Sequence, residues 1–186
     1  NKVEVVKKMK KEKFIENIMG SFLILLYAYF MLSIGLTSHL NLQYMVSLFY
    51  LLYGLVHVAE FAFHRKEKEY SDILLGILGF VFAGLMFFSK ILETTKYLAL
   101  VLLFFALIYS LIKLKKADYH HDRRSKLWLI FVASIVLFFF SNLLICINLS
   151  YNDEIRMILF GFYFQIIGIF EMYEALILNM TKGKLK

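Results

Sequence analysis

The stretch IMGSFLILLYAYFMLSIGL, Ile18–Leu36, carries no ionisable side chain and is bounded by Glu16 and His39. A helix rises about 1.5 Å per residue, so a hydrocarbon core of about 30 Å calls for roughly 20 apolar residues. This stretch is one membrane crossing long, and it recurs. Comparable runs follow at Leu42–Phe63, which holds only His57 and Glu60, and at Ser71–Ser89, Thr94–Ile112 and Leu127–Leu149. The last, Met157–Met180, holds Glu171 and Glu174. The runs are continuously apolar rather than alternating, which favours helices over barrel strands. The expected fold class is an all-α membrane protein with six transmembrane helices.

The composition agrees. Of 186 residues, 61% are apolar, 18% aromatic and 19% charged, with one cysteine and no proline. Soluble domains average about 45–50% apolar and about 25% charged. A disordered chain, a disulfide scaffold and a collagen-like fibre are excluded. The first span has the full length of a crossing with no small-residue cleavage pattern after it, so it reads as a permanent anchor rather than a signal peptide.

A net charge of +7 first suggests a nucleic-acid binder. The positions of the charges give another reading. With the N-terminus inside, eighteen of the 21 Lys and Arg fall in cytoplasmic segments, and only Lys90, Lys96 and Arg156 fall outside. That asymmetry predicts a cell-membrane protein with both termini in the cytoplasm and no nucleic-acid partner. Residues 1–16 form a basic cytoplasmic segment in which Lys7, Lys8, Lys10 and Lys11 would tether the chain to anionic lipid of the bilayer. Residues 17–186 form one transmembrane domain. Tyr44, Tyr97 and Tyr151 sit where an interfacial aromatic belt belongs.

Very short connections, such as 37–41, imply antiparallel hairpins at about 17–64, 70–116 and 126–181. The hairpins are related as an internal repeat. Gly20, Ala28 and Ser33 match Gly76, Gly84 and Ser89 at a constant offset of 56. GLVHVAE (Gly54–Glu60), ALIYSLI (Ala106–Ile112) and GIFEMYEA (Gly168–Ala175) share one frame, a small residue followed by key positions three and six further on. The glycines Gly20, Gly76, Gly79, Gly84, Gly161 and Gly168 read as helix-packing positions, where small residues let backbones approach in lipid. They serve either packing within the monomer or contact with a second copy or another membrane protein.

With ILLGILG (Ile73–Gly79) and GIFEMYEA (Gly168–Ala175) in these places, the chain resembles the HdeD-type acid-resistance membrane proteins over roughly residues 14–180. The resemblance implies a non-enzymatic bacterial inner-membrane protein of acid or envelope stress tolerance, with no catalytic residues to carry over.

Ionisable side chains within spans are costly and ask for a reason. His57 and Glu60 lie three apart on one helix face, as do Glu171 and Glu174, all in the cytoplasmic third of their helices. If the repeats pack symmetrically, the four converge on one polar pocket, a pH-sensing or ligand site in which crowded carboxylates would share a proton. The alternative is pairing with cations at the helix ends, Lys113, Lys115 or Arg65 among them. Asn142, Asn148 and Gln165 read as interhelical hydrogen-bonding groups.

No metal or cofactor is expected. The loop containing Asp118, His120, His121 and Asp122 has the residue types of a metal site, but Arg123 and Arg124 beside them disfavour a cation. No P-loop, G-x-S-x-G, H-E-x-x-H or C-x-x-C motif is present, so no enzyme is expected. Two other functions fit six spans: a small-molecule transporter or the substrate-binding subunit of a vitamin transporter, and an accessory subunit of a membrane complex.

Overall fold

In lipid every backbone N–H and C=O must find its partner within the chain, so each long apolar run has helix as its only open-ended solution. The computed structural model describes residues 2–35, 41–63, 70–88, 95–122, 128–147 and 153–184. All are helical except Asn41. The helices are α1 (Lys2–Gly35), α2 (Leu42–Phe63), α3 (Tyr70–Phe88), α4 (Thr95–Asp122), α5 (Trp128–Ile147) and α6 (Asp153–Lys184). Five contain stretches long and apolar enough to cross a membrane: Asn17–Ile34, Leu42–Ala62, Tyr70–Phe88, Trp128–Ile145 and Ile155–Leu176. By length and composition the chain is an all-helical, multi-pass membrane protein. The expected fourth span coincides with the first part of α4. The basic N-terminal segment is continuous with the first span, since α1 starts at Lys2.

Asn41 begins α2 in the way its residue type favours. Its side-chain oxygen accepts from the Gln43 backbone N–H at 2.9 Å, and its carbonyl accepts from Met45 N–H at 3.2 Å. Along α2 the buried positions Leu42, Met45, Val46, Phe49, Tyr50, Tyr53, Val56 and His57 recur at three and four, one face of a helix. Leu48, Leu51 and Leu55 on the other face are exposed, as are Phe22, Leu26 and Phe30 on α1 and Ile77, Phe80 and Val81 on α3. Such an apolar exterior belongs against lipid tails. Tyr44 is exposed at the start of α2 and stacks obliquely on Phe87, 5.5 Å between centroids. The Tyr97 side chain, Tyr151 and Asn148 lie outside the described residues.

The helices pack as a ring in which the broadest contacts are α2 with α3, α4 with α5, and α6 with α1. Partners within each expected hairpin also touch, but over smaller areas. Glycine placement explains the closest pairing. A Cβ on Gly79 would lie 2.7 Å from the Gly54 backbone nitrogen and Cα and 2.9 Å from the Tyr50 carbonyl oxygen. One on Gly54 would lie 3.0 Å from the Gly76 carbonyl oxygen. Here α2 and α3 meet backbone to backbone, as small-residue interfaces in lipid allow. The Ser47 hydroxyl adds a bond of 2.8 Å to the Ala83 carbonyl across the same interface, and the Gln43 amide nitrogen donates to the Phe87 carbonyl at 2.8 Å. On the opposite side of the ring, Gly161 receives Leu32 and Gly168 receives Leu25 and Ile24 of α1. Gly20 of α1 receives Val56 and Glu60 of α2.

Gly84 corrects the sequence reading. Among the described residues a Cβ there would meet nothing within 4 Å, so it is no packing glycine within the monomer. At about 100° per residue it stands about 80° away from Gly76 around the helix, off the stripe of Gly76, Gly79, Ala83 and Met86 that faces inward. Asn142 bonds in two directions: its amide nitrogen donates to the Phe138 carbonyl of its own helix at 2.8 Å, and its side chain also meets Tyr163 of α6, the interhelical role expected of it.

The ring interior is aromatic. Phe49 and Phe164 stack with centroids 3.5 Å apart, and Tyr50 sets its edge on Phe105 and Phe164 at 5.0 and 5.6 Å. Phe138 stacks on Tyr163 at 5.0 Å. The edge-to-face pairs of Tyr50 and the offset Phe138–Tyr163 stack contribute about 0.5–1.5 kcal/mol each beyond burial.

Candidate functional site

At the end of the bundle that the charge count assigns to the cytoplasm, the aromatic core gives way to a charged layer. Its first half lies between α4 and α6. Glu171 and Glu174 are three apart on α6 and project together. They converge on Lys113 of α4, whose side chain is only 1% exposed. The Lys113 Nζ lies 3.0 Å from Glu171 Oε1 and donates a short hydrogen bond to Glu174 Oε2. The Tyr109 hydroxyl, one helical turn before Lys113, donates to Glu171 Oε1 at 3.1 Å, and the Lys113 ammonium lies 5.1 Å from the centre of the Tyr109 ring.

Each of these groups answers a need of the others. An ammonium held away from water is costly without a counter-ion, and two neighbouring carboxylates repel without a cation between them. One lysine meets both needs, so the four side chains act as a unit. Sequence reading counts Lys113 among the cytoplasmic cations at the end of the fourth span and offers it, with Lys115 and Arg65, as a partner for the glutamates; the structure makes the Lys113 pairing. The structure buries it, because α4 continues to Asp122 without a break and carries Lys113 on the inward face with Tyr109 and Ile112. The signal available in the sequence was the four-residue spacing of Tyr109 and Lys113.

The second half of the layer lies between α2 and α3. His57 is 3% exposed and packs edge-on against Tyr53, with ring centroids 4.4 Å apart. Its Nδ1 pairs with Glu60 Oε2 at 3.2 Å, whereas its Nε2 has no hydrogen-bond partner among the described residues. A buried polar atom left so costs about 1–3 kcal/mol. Asp72, from the first turn of α3, joins the two: ligand atoms of His57, Glu60 and Asp72 all lie within 4.8 Å of one another. Asp72 was not among the sequence candidates, because it begins a span and looks like an ordinary helix-start acid.

The halves face each other across the ring. His57 is within electrostatic reach of Glu171, and Tyr53 within reach of Glu171, Glu174 and Glu60. The structure thus places all four sequence candidates, His57, Glu60, Glu171 and Glu174, in one layer. It adds Asp72, Tyr109 and Lys113, and divides the layer into an ion-paired half and an acidic, histidine-containing half. The stretch expected to be a metal-capable loop is helical through Asp122 as the end of α4; Asp118 is exposed, and the side chains of His120, His121 and Asp122 lie outside the described ones.

No protein-family model, curated protein or solved structure matches the chain.

Proposed function

We propose that this chain is a non-enzymatic protein of a bacterial inner membrane, crossing it six times with both termini in the cytoplasm, and that it serves in acid or envelope stress tolerance. Three repeated hairpins close into a ring, α2 laying Gly54 against α3 and α6 laying Gly168 against α1. The charge asymmetry supports the orientation, and the alternation of broad and narrow helix contacts supports the repeat. The HdeD-type resemblance supplies the stress role.

The observation that carries the proposal is the clamp of Glu171 and Glu174 on buried Lys113. It ties α4 to α6 through side chains, whereas the broad packing of α4 is against α5 and that of α6 against α1. Removing either carboxylate weakens this tie while leaving the glycine contacts intact. Tyr109 of α4 and Tyr53 and His57 of α2 are ionisable groups within electrostatic reach of this clamp, with Glu60 and Asp72 beyond them around His57.

The aromatic filling of the ring supports this reading over transport, since the axis between α2, α4 and α6 is occupied by stacked rings. The glycine contacts likewise support packing within the monomer: Gly54, Gly76, Gly79, Gly161 and Gly168 all receive atoms of this same chain. The test is survival after acid challenge of a deletion strain carrying wild type, Glu171→Gln/Glu174→Gln or Lys113→Met at matched membrane levels. Deletion and both variants are expected to lower survival. Unchanged survival in the deletion strain and in the glutamine variant overturns the stress role.

A further inference from the structure

We propose that His57, Glu60 and Asp72 form a binding site for one divalent first-row transition-metal ion, of which Zn²⁺ is the type, between α2 and the start of α3. The three side chains each offer one ligand atom, and those atoms lie within 4.8 Å of one another. Around a tetrahedral ion with metal–ligand distances of about 2.0–2.2 Å the ligand atoms stand roughly 3.5 Å apart. Side-chain rotations that move each atom by on the order of 1 Å close the difference.

His57 is the independent observation that points to a ligand. It is 3% exposed, and among the described residues its Nε2 has no hydrogen-bond partner. Its Nδ1 is directed into the cluster, 3.2 Å from Glu60 Oε2. A buried imidazole of this kind is a Lewis base held beside two carboxylates, the donor set of a transition-metal site. The scaffold is rigid where the ligands attach. Gly54 lies three residues before His57 and Gly76 four after Asp72, and these glycines hold the α2 and α3 backbones in contact.

The donor set selects the ion class. Calcium and magnesium take oxygen ligands throughout, whereas an imidazole with carboxylates suits zinc, manganese, iron, cobalt or nickel. Three protein ligands leave a coordination position for water or another ligand, unlike a closed structural site. The sequence reading expected no metal. It weighed only the histidine-rich loop, because these three ligands come from two helices and match no linear motif. The site uses none of Lys113, Glu171 or Glu174, so it stands or falls separately from the acid-tolerance reading.

The test uses the full chain, purified in detergent, stripped with a chelator and titrated with ZnCl₂ by calorimetry. One ion per chain is expected, with affinity lowered at least about a hundredfold in His57→Ala. Asp72→Asn and Glu60→Gln preserve side-chain size and carry the test if His57→Ala fails to fold, thermal unfolding of the stripped proteins showing which variants are intact. Co²⁺ in place of Zn²⁺ should give visible absorption bands in the wild type that Asp72→Asn loses. The His120→Ala/His121→Ala double variant should bind as wild type does. Zinc binding that survives Asp72→Asn and Glu60→Gln, or that is lost only in the loop double variant, overturns the site, as does a wild-type protein that binds none.

Discussion

The frames Gly54–Glu60 on α2 and Gly168–Glu174 on α6 place a glycine and two ionisable groups at the same spacing, and both end in the charged layer. Their surroundings differ. The α6 pair turns to α4 and finds Lys113, so its two carboxylates are neutralised in part by one buried cation and steadied by Tyr109. The α2 pair turns to α3 and finds Asp72, so acid is added to acid beside a buried imidazole. The glycines differ as well. Gly54 meets the backbone of α3, and Gly168 meets the flexible side chains Leu25 and Ile24. A repeated frame therefore fixes where polar groups sit along a helix, and the neighbouring helix decides their chemistry.

The largest expected effect breaks the α2 side. Gly79→Leu places a side chain where a Cβ alone would be 2.7 Å from the Gly54 backbone, and two backbones cannot separate without loss of the interface. It is expected to prevent folding or cost more than about 4 kcal/mol, read as a fall in the unfolding midpoint in detergent. Gly84→Ala, in open space on the same helix, should leave the midpoint unchanged or raise it, since alanine favours helix by about 1 kcal/mol over glycine.

Lys113→Met breaks the α6 side next. It strands two carboxylates and should cost about 3–5 kcal/mol, whereas the Lys113→Met/Glu171→Gln/Glu174→Gln combination should recover much of that loss. Recovery by the triple variant shows that stranded charge is the cause. A midpoint as low as in the single variant would show that packing of the lysine stem is what matters.

Comparing the two glycines directly sharpens the contrast. Gly54→Ala should cost about 1–3 kcal/mol, and Gly168→Ala less, because leucine and isoleucine tips can yield where a backbone cannot. Equal midpoints for the two variants would refute the distinction. The smallest effect is Tyr109→Phe, which removes the hydroxyl bond to Glu171 and keeps the ring, for about 1–2 kcal/mol. Ser47→Ala, losing one bond to the Ala83 carbonyl, should match it within the same unfolding assay.

Much of the site was legible in the chain as written. Glu171 and Glu174 stood out because ionisable groups are rare inside apolar runs, and their three-residue spacing put them on one face. Lys113 was legible only as one of several cations at the helix ends that could pair with them, and Asp72 not at all, because each sits at the margin of its run, where charge is ordinary. Whether a marginal charge reaches lipid headgroups or turns inward depends on the rotation and depth of its helix, and neighbours set both. Gly84 shows the same limit from the other side: it aligns with Ala28 at the repeat offset, yet Ala28 is buried and Gly84 faces open space.

The sequence by itself determined that this is a helical protein of the membrane, where its helices lie and which polar groups they carry at depth, because run length and charge position are linear properties matched to bilayer thickness. Tertiary structure alone decided that α2 closes on α3 and α6 on α1, that Lys113 serves two glutamates, and that Asp72 completes a cluster with His57 and Glu60. In lipid no hydrophobic force distinguishes one apolar helix face from another, so partner choice rests on shape and on a few polar contacts. Those become visible only when the helices are set side by side.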